Sequence, residues 1–191
     1  TKQNGAYLQA SYGFIKNWEG YLRVGGADTK SKEAFSFDSP KDFKDGYKPF
    51  GTIGVKGVFN VTPSFGIGPF LQASLYSSYK DTETGTFSGT PASVTVKTKK
   101  PREINLGVGL QGKIGETIIY GGPVAYWSRS KAEISITGLG TTETFSTTYK
   151  EKNNIGGFAG VRVPLGKGLS LEVEGQLKSR FSFGGALTYS F

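Results

Sequence analysis

Apolar and polar residues alternate with a period of two along nearly the whole chain. Residues 6–14 set Ala6, Leu8, Ala10, Tyr12 and Phe14 against Tyr7, Gln9, Ser11 and Gly13. The same alternation returns over 18–24, 52–61, 64–75, 103–111, 118–126, 154–165, 169–177 and 182–191. Within 118–126 the pattern is least clean, and Ile118, Tyr120, Val124 and Tyr126 are assigned to the apolar face. Side chains that repeat every second residue line one face of a strand, so this pattern predicts nine strands and no helix.

Four junctions each leave three residues between apolar flanks: Phe14 and Trp18, Val61 and Phe65, Ile114 and Ile118, Leu165 and Leu169. A three-residue loop makes positions i and i+4 cross-strand partners, so the apolar face continues through the turn. The alternate connections, 26–47, 80–101 and 128–153, are long and polar; the first carries Phe35, Phe37 and Phe43. Short turns at one end and long loops at the other predict an all-β chain forming a transmembrane antiparallel up-and-down β-barrel of 8–10 strands. Residues 1–191 then make a single domain.

The choice between a soluble and a membrane barrel turns on which face is apolar. One face holds Glu19, Arg23, Lys56, Glu103, Lys113, Arg162, Glu172 and Glu174, which are expected to line the lumen as a pore or a plug. Gly54, Gly66, Gly68, Gly107, Gly109, Gly121, Gly156, Gly160 and Gly184 share it, as in a narrow interior where side chains would crowd. On the other face Tyr12, Phe14, Trp18, Phe59 and Phe65 gather beside the turns, and Tyr189 and Phe191 close the last strand. Aromatics so placed suit an interfacial girdle. No run of 18 apolar residues is present, which excludes a spanning helix but not spanning strands.

Composition narrows the chemistry. The 191 residues include 29 Gly but no Cys, His or Met. Without Met, Thr1 is expected to follow processing or trimming. Without Cys or His there is no thiolate nucleophile, no Ser-His-Asp triad and no His-based zinc site. Glu172 and Glu174 face the same way, but like charges on an inward face read as a network neutralised by Arg23, Lys56 or Arg162 rather than as an acid–base pair. Gly25-Gly26 is not followed by a phosphate-loop Lys-Ser/Thr, and the basic run through Lys97, Lys99, Lys100 and Arg102 lacks interleaved aromatics, so nucleic acid is not expected. No enzyme, metal or cofactor is expected.

The final residues, Gly184-Gly185-Ala186-Leu187-Thr188-Tyr189-Ser190-Phe191, resemble the C-terminal assembly signal of bacterial outer-membrane barrels. With Asn105–Gly112 and the stretch from Leu171, they make the chain similar to small, porin-like barrels of Gram-negative outer membranes. The resemblance implies a periplasmic C-terminus, recognition of the last strand by the barrel-assembly machinery, and an outer leaflet of lipopolysaccharide. The hydrolases of that family use His, which this chain lacks. The net charge is +8, and Lys80, Lys97, Lys99, Lys100, Arg102, Arg129, Lys131, Lys150, Lys152, Lys178 and Arg180 all fall at the loop ends. They are expected to face lipopolysaccharide phosphate. Bacterial single-chain barrels have even strand numbers. Nine strands therefore imply a missing tenth strand, one strand outside the wall, or closure by a parallel pair. Two functions remain open: a narrow channel for small polar solutes or ions, and a non-conducting structural or adhesion barrel whose loops bind a protein partner or surface layer.

Overall fold

A computed structural model describes residues 3–150, 154–178 and 181–190. Its strands are β1 (Gln3–Ile15), β2 (Trp18–Phe35), β3 (Lys41–Gly57), β4 (Phe59–Thr62), β5 (Phe65–Tyr76), β6 (Tyr79–Phe87), β7 (Thr90–Ile114), β8 (Thr117–Gly138), β9 (Thr141–Lys150), β10 (Ile155–Gly166), β11 (Leu169–Leu177) and β12 (Phe181–Ser190). No helix occurs among the described residues. All twelve belong to one sheet.

The pairings form a closed cycle. From β5 the path runs through β3, β2, β1, β12, β11, β10, β8 and β7, and β7 pairs back onto β5. β3 and β4 are one strand in effect. Lys56 faces Phe70 and Phe59 faces Ile67 in the same register along β5. Only Val58 interrupts them, its N–H donating to the Asn17 carbonyl at 2.7 Å. Nine strands therefore make the cycle, while β6 and β9 lie outside it. Strands that reverse at every turn can close an odd-numbered cycle only if one pair is parallel, and that pair is β1 with β12, from Gln3 opposite Ser182 to Ser11 opposite Ser190.

Three of the four tight junctions keep the register that a three-residue loop predicts. At the first, Asn17 takes φ 68° and closes a bulged turn, which leaves Tyr12 opposite Gly20. The junction after Ile114 differs. Gly115 adopts φ 62° and the turn has two residues, so Ile114 pairs with Thr117 and Lys113 with Ile118. One residue fewer reverses the faces of the following strand. Ile118, Tyr120, Val124 and Tyr126 therefore turn inward, Tyr126 and Val124 being fully buried, and Ile119 and Trp127 are exposed outside. This corrects the assignment made from the alternation alone.

The long connections are the second correction. Segments 26–47 and 80–101, and the described part of the third, 128–150, are largely strand rather than loop. β2 and β3 continue as a hairpin, β6 pairs with the first half of β7, and β9 pairs with the end of β8. Their composition explains it: Val94, Thr95, Val96, Ile134 and Ile136 are β-branched residues that suit a pleated surface. β7 has 25 residues and β8 has 22, far more than the roughly 9–11 that a tilted spanning strand needs. Beyond the cycle, Phe35, Phe37, Phe43, Tyr79 and Val94 form a buried cluster, with Phe87, Ile134 and Ile136 packed against it. The Phe35 and Phe37 rings stack at 6.2 Å, and those of Phe35 and Phe43 at 6.4 Å. The loop end is thus a small sheet assembly with its own apolar core.

Around the cycle the usual distribution is reversed. Leu8, Leu22, Ile53, Leu71, Ile104, Leu106, Leu171 and Leu187 are exposed, whereas Gln9, Ser11, Thr52, Gln72, Asn105, Glu172 and Thr188 are buried.

Candidate functional site: a paired charge network inside the strand cycle

The polar face of each strand points into the cycle, and the ladder register determines which side chains meet there. Arg162 of β10 lies opposite Glu172 of β11. Glu172, only 2% exposed, accepts hydrogen bonds from Arg162 Nε at 3.0 Å and Nη2 at 2.8 Å, and from the Tyr120 hydroxyl at 2.7 Å. Arg23 Nη2 lies 4.0 Å from Glu172 Oε1, the oxygen that Tyr120 bonds, while both Arg162 nitrogens hold Oε2. Two residues along β11, Glu174 accepts from the same Tyr120 hydroxyl at 3.0 Å and from Gln176 Nε2 at 2.7 Å.

Arg23 enters from the far side of the cycle. Its Nε donates to Gln9 Oε1 at 2.6 Å, and its guanidinium lies 4.8 Å and 4.9 Å from the ring centres of Tyr7 and Tyr21. Tyr21 in turn donates to Gln72 Oε1 at 2.8 Å. Towards the turns, the ladder pair Glu19 and Lys56 makes an ion pair of 2.9 Å. Towards the loop end, Lys178 is bonded to Glu103 and, at 2.9 Å, to Asn105 Oδ1, with its ammonium over the Tyr126 ring. The interior thus balances four cations, Arg23, Lys56, Arg162 and Lys178, against four carboxylates, Glu19, Glu103, Glu172 and Glu174.

Glycines give the larger rings their room. A Cβ at Gly54 would strike the Tyr21 ring, one at Gly160 would lie 2.5 Å from Tyr120, and one at Gly107 would lie 2.5 Å from Phe70. The crowding expected from the inward glycines is therefore aromatic rather than charged. The free space is split. A cavity of about 110 Å³ lies on the turn side, beside Lys56 and Ile118, and one of about 90 Å³ on the other side, beside Tyr7 and Thr52. Both end on Arg23, Gln72 and Glu174. A wider one of about 560 Å³ opens at the loop end, lined by Phe43, Tyr79 and Tyr126.

Two of the sequence-derived positions lie elsewhere. Lys113, expected in the lumen, is exposed at the turn end beside Gly115, and no ion pair involves it among the described residues. Lys178, expected on the rim, is turned inward with its side chain 9% exposed, because it continues the inward series Glu172, Glu174, Gln176. Of the other rim residues, Lys80, Lys100, Arg102, Arg129, Lys131 and Lys150 are exposed and Lys97 and Lys99 half-exposed on the loop-end sheet. Lys99 holds Glu133 Oε1 at 2.6 Å, and this charge-assisted bond lowers the Glu133 carboxyl below the usual range. Lys152, Arg180 and Phe191 lie outside the described residues.

Tyr12, Phe14, Phe59, Phe65 and Tyr189 are exposed near the turns, and Trp18 packs edge-on against Phe59 at 6.1 Å. Towards the loop end Trp127, Phe181 and Phe183 are also exposed. Trp127 escaped the sequence reading because the face of β8 was inverted there. Tyr7, Gln9, Tyr21, Gln72 and Tyr120 were missed as network members because neutral partners carry no charge signal; for the first four the only cue was their place on the polar face.

Every oxygen of Glu172 is answered by a donor or a cation, so the charges of the cluster neutralise one another. Among the described residues no group of three or more His, Cys, Asp or Glu is placed to hold a metal. Compared with protein-family models and with curated proteins, the chain finds no match in either.

Proposed function

We propose that this chain is an integral outer-membrane β-barrel of nine strands, non-conducting, that holds a sheet module above the membrane for interaction with a partner. The observation that carries the membrane reading is the reversal of faces: exposed Leu, Ile and Val around the cycle, paired charges within it. Water would favour the opposite arrangement, since exposed apolar surface costs about 25 cal/mol per Å². The outward apolar series on β7 runs from Ile104 to Ile114. Ten residue steps of ~3.4 Å, on a strand tilted by about 40°, rise roughly 26 Å. An outer-membrane apolar band is about 25 Å tall.

In this orientation the tight turns face the periplasm, and β12 is the strand offered to the assembly machinery. The plug reading rests on the Arg23–Glu172–Arg162–Tyr120–Glu174 cluster, which separates the two inner cavities. The cavities on either side of it support the second reading, a narrow channel for small polar solutes, should the cluster part.

Two measurements test these readings. In detergent or lipid, the unheated protein should migrate on a gel as a compact species and shift on boiling; identical migration would refute the barrel. In planar bilayers the wild-type protein should stay silent, and steady stepwise openings would replace the plug by the channel.

A further inference from the structure

One face of the loop-end sheet is a ladder of like charges. Arg102 of β7 pairs directly with Arg129 of β8, and Arg129 with Lys150 of β9. In the next row Lys99 pairs with Lys131, and beyond it Lys97 lies between Lys80 on β6 and Glu133 on β8. A β-bulge between Lys99 and Arg102, with Lys100 at φ 45°, keeps both side chains on the same face despite their three-residue spacing. Among the described residues, one acidic side chain, Glu133, is ion-paired with these cations, at 2.6 Å from Lys99 and 3.5 Å from Lys131. Like charges directly opposite one another destabilise a sheet. Four such pairs fill three adjoining rows, and among the described residues Lys80, Arg102, Arg129 and Lys150 have no ion-pair partner.

The row below is apolar. Ile104 pairs with Trp127, both exposed, two residues or ~7 Å along the strands from Arg102 and Arg129. Leu75, 67% exposed, sits directly opposite Arg102 on β5. Leu75, Lys99, Arg102, Arg129 and Lys131 line one open groove. Cations stacked on an apolar row match a ligand with phosphates above and acyl chains below. A soluble polyanion would use the cations and leave Leu75, Ile104 and Trp127 unused.

We infer that this groove binds the phosphorylated headgroup of a lipid in the surrounding leaflet, with Arg102, Arg129, Lys99 and Lys131 on its phosphates and Leu75, Ile104 and Trp127 along its chains. The inference rests on the membrane reading above and names its lipid class. Arg and Lys are suited to phosphate through charge-assisted hydrogen bonds.

The test uses the full chain in phosphatidylcholine nanodiscs, titrated with bis-phosphorylated lipid A. The variant K99Q/R102Q/R129Q/K131Q should bind it on the order of a hundredfold more weakly, from the loss of several surface cations. K16Q/K167Q, which neutralises exposed lysines at the turn end, should bind like wild type. In a detergent without phosphate the quadruple variant should be at least as stable as wild type, because its cross-strand repulsion is gone. Undiminished lipid A binding by the quadruple variant, or a loss of its stability in that detergent, overturns the inference. Equal competition by soluble pyrophosphate would make the groove a site for free polyanions instead. Failure of wild-type protein to enter the nanodiscs overturns the membrane reading together with this one, whereas insertion without preference for lipid A overturns this one alone.

Discussion

Glu172→Gln isolates what holds the interior together. The side chain keeps its shape and loses its charge, leaving Arg162, whose Nη2 lay 2.8 Å away, and Arg23, at 4.0 Å, without their shared counter-ion. At an effective dielectric of about 20, unit charges 4 Å apart interact by about 4 kcal/mol. Removing one member of a buried pair typically costs about 3–5 kcal/mol, because the charge left behind stays desolvated. Tyr120 can still donate to the amide oxygen, so the lower end, about 3 kcal/mol, is expected. That is a large share of a typical total stability of about 5–15 kcal/mol. Urea titration in lipid vesicles, read as the folded fraction on unheated gels, would measure it. R162Q/E172Q should be less destabilised than the sum of the single variants, since each then removes the other's unpaired charge. A loss below about 1 kcal/mol for E172Q, or simple additivity in the double variant, would refute the view that these charges depend on each other.

Two further outcomes follow from particular contacts. Gly68→Ala and Gly122→Ala should each cost about 1–3 kcal/mol, because the added Cβ would run into the carbonyl oxygens of Gly57 and Val108, which are backbone atoms with little freedom to move. Gly112→Ala, with nothing within 4 Å of its new Cβ, should stay within about 0.5 kcal/mol in the same urea assay, and equal losses at all three positions would count against the close-approach argument. Asp38 accepts the Ser88 and Gly89 amides at 2.9 and 3.1 Å, and these backbone bonds lower its carboxyl below the usual range. A depressed folded-state value means that its contribution is complete above the unfolded pKa of about 3.9 and is lost as pH falls through the lowered value. Amide exchange at Ser88 and Gly89, corrected for intrinsic rates, should therefore accelerate at pH 3 relative to pH 6 in wild type; in Asp38→Asn it should show no such pH step.

Much of this protein was legible in its sequence because a strand's side-chain period is two. The alternation alone located the nine strands of the cycle and the inward series Glu19, Arg23, Lys56, Glu103, Arg162, Glu172 and Glu174. It failed where one residue changes parity. A two-residue turn at Gly115 in place of three inverted β8, hid Tyr120 and Tyr126 inside and brought Trp127 out. Lys178 reads as a rim residue because it lies just past the end of β11, whereas the even-numbered inward series of that strand continues through it.

What the sequence determined by itself was local: period, turn positions, the segregation of charge from Leu and Ile, and a chemistry without His or Cys. Tertiary structure decided what depends on residues far apart in the chain. Closure required β1 to meet β12 in parallel, an option that nine strands permit but alternation cannot select. The partners of Glu172 come from β2, β8 and β10, and only the joint register of those strands brings them within bonding distance. The polar segments 80–101 and 128–150 became strands because β7 and β8 supplied edges on which β6 and β9 could pair. A single segment cannot show that, since its hydrogen bonds belong to its neighbour.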